Sequence, residues 1–143
     1  MKRLFLVAAW LFVASLLPGI LAAQDVKTHV DKGIAGCESG HFDQAVQDFS
    51  AALKLKPNDP ALWDYRGMAY RCKGQNDKAL QDFNKAMELD PKFARAYRDR
   101  GMLYSDTGDF DRSLADLKKA QSLGYKIDEE FLKMVARKAA DKK

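Results

Sequence analysis

The chain repeats itself at an offset of 34 residues. Gly33, Gly67 and Gly101 fall in step, as do Gly40, Gly74 and Gly108. So do Asp48, Asp82 and Asp116; Phe49, Phe83 and Leu117; Ala52, Ala86 and Ala120; and Leu55, Leu89 and Leu123. So many coincidences at one offset divide the sequence into three copies of one unit, residues 26–59, 60–93 and 94–127. A unit this short cannot bury its apolar face alone, so the copies must stack on one another to share a continuous core.

Each unit is helical by pattern. Residues 24–143 hold 15 alanines and 10 leucines against eight β-branched residues, and no stretch alternates apolar with polar over the length of a strand. Around Ala45, Val46, Phe49, Ala52 and Leu53 the apolar residues recur at three- and four-residue steps, which puts them on one helix face. Pro57 and Pro91 stop the second helix of their units. Gly40, Gly74 and Gly108 end the first helix, where a left-handed cap turns the chain back. Each unit is therefore expected to be two antiparallel helices of about 14 residues, and the whole an all-α solenoid.

Gly33, Gly67 and Gly101 lie inside the first helix, where glycine costs about 1 kcal/mol relative to alanine. Close approach repays that cost, and the small residues Ala45, Ala79 and Ser113 of the second helix are expected to meet the notch. A charge pattern repeats as well. Lys32, Arg66 and Arg100 each precede an aspartate, Asp48, Asp82 or Asp116, by 16 residues. In a tight helical hairpin this spacing brings base and acid level, which predicts an ion pair between the two helices of every unit.

Trp63, Gly67, Tyr70, Gly74, Ala79, Phe83, Ala86 and Pro91 of the middle unit resemble the pattern of the tetratricopeptide repeat (TPR) family. The third unit keeps Tyr97, Gly101, Tyr104, Gly108, Phe110 and Ala120. It departs from the pattern at Ser113, Leu117 and Tyr125. The first departs further, with His29 in the large aromatic position and Gly36 where a tyrosine is expected. The resemblance implies three TPR helix-turn-helix repeats within a domain of residues 24–143. A further helix over 128–140 then serves as a cap, its Phe131, Met134 and Val135 covering the third unit. Acids at its start and Arg137 and Lys138 at its end suit the helix dipole.

The resemblance also implies that the first helices line a concave groove for an extended peptide or helix of a partner protein. The matching positions are Lys27, Val30, Ile34 and Cys37 in the first unit; Ala61, Asp64, Met68 and Arg71 in the second; and Arg95, Arg98, Met102 and Ser105 in the third. Flexible apolar side chains mixed with bases toward the third unit suit a partner with apolar anchors and some acidic character. Ile34, Met68 and Met102 have a second reading as packing between neighbouring first helices. The chaperone-tail subclass of the family clamps a terminal carboxylate with lysines and asparagines. Here Val30, Ile34 and Tyr65 stand at clamp positions and only Arg95 is kept, which disfavours that subclass. A structural solenoid that self-associates through open ends, its groove unused, is the alternative.

Ahead of the repeats, Lys2 and Arg3 precede an apolar run, Leu4 to Leu17, in which Ser15 is the one polar residue, then Pro18-Gly19 and a small-residue exit at Ala22-Ala23. This is the layout of a secretory signal peptide over residues 1–23, so an exported protein, periplasmic or secreted, is expected. An uncleaved membrane anchor is the alternative, because Leu4 to Ala23 carries no charge over 20 residues. Removing the segment lowers the formal charge from +4 to +2. A near-neutral chain does not bind polyanions by charge, so no nucleic-acid partner is expected, nor a membrane after cleavage. A monomer or weak homo-oligomer is expected.

No triad, phosphate loop, paired carboxylate with a base, or zinc spacing can be assembled from these residues, so no enzyme, metal or cofactor is expected. His29 reads as a packing residue and His41 as a turn residue. Cys37 and Cys72 fall on neighbouring first helices. Helix axes in contact lie about 8–10 Å apart, whereas a disulfide needs Cα atoms within about 7 Å. A bridge therefore requires the helices to lean together.

Overall fold

The computed structural model describes residues 23–141, and among them there is no strand. Helix α1 runs through residues 23–38, followed by α2 (Phe42–Leu55), α3 (Pro60–Cys72), α4 (Asn76–Leu89), α5 (Ala94–Asp106), α6 (Phe110–Ser122) and α7 (Glu129–Ala140). The expected all-α solenoid is what forms. The segment read as a signal peptide lies outside the described residues except for Ala23, which is part of α1.

Recurring chemistry closes each hairpin. Gly40, Gly74 and Gly108 adopt φ of 78°, 74° and 79°, a region open mainly to glycine. The next residue donates its amide back across the turn: His41 to the Gly36 carbonyl at 2.7 Å, Gln75 to Tyr70 at 2.9 Å, Asp109 to Tyr104 at 2.8 Å. These are Schellman closures, which satisfy the last carbonyls of α1, α3 and α5. Gly124, with φ of 89°, closes α6 in the same way. At the opposite ends, Asp59 caps α3 ahead of Pro60 and accepts from the Ala61 amide at 3.0 Å, and Asp128 caps α7 through the Phe131 amide at 2.8 Å.

Packing runs along the chain. α3 pairs with α4 and α5 with α6, while α2 meets α3, α4 meets α5 and α7 covers α6. Phe83, Ala79 and Ala86 of α4 are fully buried beside Ala96 and Leu103 of α5. Across the first junction the Phe49 ring of α2 stacks on the Tyr65 ring of α3, centroids 5.4 Å apart and planes 9° from parallel. The connectors are tied down as well. Trp63 Nε1 donates to the Pro57 carbonyl at 2.7 Å, and the Tyr97 hydroxyl donates to the Pro91 carbonyl at 3.2 Å, the same bond one repeat later.

The glycine notches hold larger side chains than expected. A Cβ on Gly33 would sit 2.5 Å from the Phe49 ring, and one on Gly67 2.8 Å from the Phe83 ring. On Gly101 it would lie 3.1 Å from Leu117 Cγ. The notch therefore receives the residue one turn beyond Ala45, Ala79 and Ser113. Ala79 also borders its notch, through its carbonyl oxygen at 3.3 Å. An inward-pointing ring needs more depth than a methyl group, and the missing Cβ supplies it.

Candidate functional site

The ion pairs between helices form in two hairpins of three. Arg66 donates through Nε and Nη2 to both oxygens of Asp82, at 2.7 and 2.8 Å, and Arg100 does the same to Asp116 at 2.6 and 2.8 Å. Each guanidinium also reaches the preceding repeat: Arg66 Nη1 donates to Ser50 Oγ at 3.2 Å, and Arg100 Nη1 to Asn84 Oδ1 at 2.6 Å. One arginine thus ties three helices. The expected Lys32–Asp48 pair does not form. Asp48 is met instead by His29 Nδ1 at 3.3 Å and Gln44 Nε2 at 3.1 Å, and Lys32 stays exposed. An ammonium lacks the planar fork that matches a carboxylate, and the imidazole one turn earlier is already within reach.

The residues anticipated as a groove lie on α1, α3 and α5. Lys27 is exposed and pairs with Asp31 at 2.6 Å. Val30 packs on the cluster of Val26, Ala52, Leu53 and Leu62, Ile34 on that of Ala45, Phe49 and Ala69, and Met68 on that of Phe83 and Leu103. All three are half-buried, so each packs on the core with one side and keeps part of its surface on the face. Arg71 Nε donates to Asp106 Oδ2 at 2.7 Å, Arg95 Nε donates to Asp64 Oδ2 at 2.6 Å, and Arg98 pairs with Asp99. Every base among the candidate residues is therefore matched by an acid of the chain itself, so the face is less basic than the candidate positions alone imply. Met102 and Ser105 remain half-buried on α5.

At the centre of this face two carboxyls are fully buried, Asp64 of α3 and Asp99 of α5. Among the described residues, Asp64 Oδ1, Asp99 Oδ2 and Arg95 Nη2 have no hydrogen-bond partner. Burial, and then the carboxylate of Asp99, push the Asp64 carboxyl up to about 7 against the pull of Arg95. Burial likewise raises Asp99, opposed by Arg98, Arg95 and Arg71. The Arg95 guanidinium carbon stands over the Tyr65 ring, 4.2 Å from its centroid, a cation–π contact that helps to hold it against Asp64. Asp99 and Asp106 were not anticipated. The signal is present in the offsets: Asp64 and Arg95 are 31 residues apart and Arg71 and Asp106 are 35 apart, near the 34-residue step that sets neighbouring first helices side by side.

Beyond Arg98 the face opens into a cavity of about 290 Å³ between α5 and α7, lined by Arg98, Met102, Leu117, Tyr125, Lys126, Ile127, Asp128 and Phe131. Arg98 stands over the Tyr125 ring at 5.5 Å. Only Arg98 and Met102 of this lining were anticipated as site residues. Of the others, Leu117 belongs to α6 and Phe131 to the start of α7, while Tyr125, Lys126, Ile127 and Asp128 come from the α6–α7 connector, where the third unit departs from the other two.

Family models described as TPR repeat, SHNi-TPR and tetratricopeptide repeat match residues 67–108, 35–58 and 94–123. The chain carries TPR repeats. Among solved structures, the first TPR domain of human RPAP3 superposes with a TM-score of 0.76 at 22% identity, covering 82% of this chain and 94% of that one. The TPR domain of Arabidopsis OM64 gives 0.75 at 22%, covering 85% and 99%. The TPR2B domain of yeast Sti1, in a structure described as its pHsp70 complex, gives 0.72 at 20%, covering 84% and 99%. At these identities the likeness is one of fold. A comparison of the sequence with curated proteins gives no match.

Proposed function

We propose that this TPR solenoid is a non-catalytic protein-interaction module. It holds an extended segment or helix of a partner across the face of α1, α3 and α5, with an apolar anchor seated between α5 and α7. The observation that carries this reading is the cavity itself. At about 290 Å³ it matches the low end of ligand pockets and suits one large side chain better than a cofactor. Its apolar lining of Met102, Leu117, Ile127 and Phe131 is bordered by Arg98, Lys126 and Asp128; Arg98 is already engaged by Asp99, whereas Lys126 enters no ion pair among the described residues, so an acidic residue beside the anchor would meet Lys126. Two structural neighbours support the class of partner: one is the yeast Sti1 domain described with pHsp70, another a TPR of RPAP3 described as bound to an HSP90 peptide. Catalysis by the one strongly shifted carboxyl is disfavoured, because Asp64 is fully buried and touches no substrate space. The apolar run behind Lys2 and Arg3 supports an exported location for the module.

The test is selection of peptides from a displayed library on the purified chain, followed by titration against variants. Met102→Glu is expected to weaken selected peptides more than tenfold, as loss of a central anchor site does, with the melting temperature little changed. Peptides that bind Met102→Glu and the parent alike would overturn the reading.

A further inference from the structure

The first repeat has a cleft that the other two fill with their own side chain. Tyr70 and Tyr104 stand at the same repeat position, and Gly36 takes their place in the first repeat. The Tyr70 ring is flanked by Arg66 at 5.7 Å and Lys78 at 5.4 Å from its centroid, and the Tyr104 ring by Arg100 at 5.8 Å and Arg112 at 4.4 Å. The residues one repeat earlier, Lys32, Gly36, Gln44 and Asp48, line a cleft of about 490 Å³ between α1 and α2, together with Ser39 and His41. We propose that this cleft takes the ring of a tyrosine supplied by a partner polypeptide, in the position that Tyr70 and Tyr104 occupy in their own repeats.

Three observations favour that occupant. The cleft is a shallow, open depression wide enough for a ring, lined by Lys32 and Gln44, the residues that stand one repeat before the cations flanking Tyr70. Its charge is complementary: Lys32 enters no ion pair among the described residues, and its counterparts Arg66 and Arg100 both lie over a ring, whose face is negative. Asp48 is already engaged by His29 and Gln44, so it does not compete for the lysine. Residues 1–22 contain no tyrosine, so that segment cannot supply one. The cleft lies within the first hairpin, away from the cavity between α5 and α7, and stands or falls separately from the proposed groove function.

The probes are p-cresol, the isolated side chain, and N-acetyl-tyrosinamide, the same ring with flanking peptide groups, each titrated into the full-length protein and followed by amide chemical shifts. Both are expected to shift the amides of Gly36, His41 and Gln44 first. Gly36→Tyr fills the cleft from within and should abolish those shifts. Its Cβ must displace Ala45 and the His41 carbonyl slightly, since each would lie 3.3 Å away. Two exposed-site variants keep the test independent of that adjustment. Gln44→Lys adds the second cation found at Lys78 and should tighten binding by about two- to fivefold, and Lys32→Met should weaken it by a similar factor. Shifts absent at millimolar probe, shifts unaffected by these variants, or binding of p-cresol without N-acetyl-tyrosinamide would overturn the proposal.

Discussion

Arg66 holds both oxygens of Asp82, at 2.7 and 2.8 Å, while a third nitrogen of the same guanidinium reaches Ser50 on the preceding repeat. The carboxylate is buried and the arginine largely so, which protects the bonds from water and salt. The pair therefore fixes the hairpin and its register against the repeat before it.

Asp82→Asn should lower stability by about 2–3 kcal/mol in urea unfolding, the range for hydrogen bonds to charged groups and for breaking a sheltered pair. Asp48→Asn, in the hairpin where a single imidazole contact replaces the arginine fork, should cost about 1 kcal/mol. The exposed change Lys92→Gln should stay within about 0.5 kcal/mol. Equal losses at Asp82 and Asp48 would contradict the role given to the fork.

The buried Asp64 makes stability depend on pH. Its folded-state value of about 7 lies above its ordinary value of 3.8, so the folded protein holds a proton that the unfolded chain releases. The contribution is fully present below about pH 4 and is lost as pH rises toward 7. In Asp64→Asn the part of the slope due to Asp64 should vanish, leaving the part due to Asp99, whose carboxyl burial also raises. The stability difference, parent minus variant, should therefore shrink by about 2 kcal/mol from pH 5 to pH 8, measured by urea midpoints. A difference that is constant with pH would show that Asp64 is ionised throughout.

Helical glycines in equivalent positions should respond differently to alanine. At Gly67 a Cβ would press on the Phe83 ring at 2.8 and 2.9 Å, and Phe83 has no exposed surface through which to retreat. Overpacking of about 1–3 kcal/mol should outweigh the roughly 1 kcal/mol gained in helix propensity. At Gly101 the contacts begin at 3.1 Å on Leu117, and the two effects should nearly cancel. Thermal melts of both variants check the order, and a more stable Gly67→Ala would refute it.

The two thiols are free and unequal. Cys37 is half-buried, and burial, then Cys72, then Glu38, push its thiol up. Cys72 is exposed. Since the thiolate is the reactive form, iodoacetamide at pH 8 should label Cys72 several times faster than Cys37, read by mass spectrometry of the folded protein. Faster labelling of Cys37 would contradict both its burial and its shift.

Much of the fold is legible before any coordinates, because repetition makes each residue its own control. Three glycines at one offset, all ending a first helix, require one backbone geometry, and Gly40, Gly74 and Gly108 adopt it within a few degrees of each other. The Arg66 and Arg100 pairs follow from the same reasoning, since a spacing of 16 residues across a tight hairpin depends only on helix rise and turn length. The Lys32 pair failed where the chemistry of the base changed while its position did not.

The face of the first helices is less legible. How far Val30, Ile34 and Met68 point outward or lie between helices depends on the angle at which one repeat sits on the next, and the stacked chain leaves all three half-buried. The Asp64–Arg95 bond joins residues in different repeats, and the cavity beside Phe131 is shaped by a connector whose residues differ from those at the same place after α2 and α4. Periodicity determined what each hairpin is, since local helix geometry and turn stereochemistry act within one unit. Only the stacked structure decided which acids are buried, which bases are neutralised and where space remains, because those are set by distances between units that no single unit encodes.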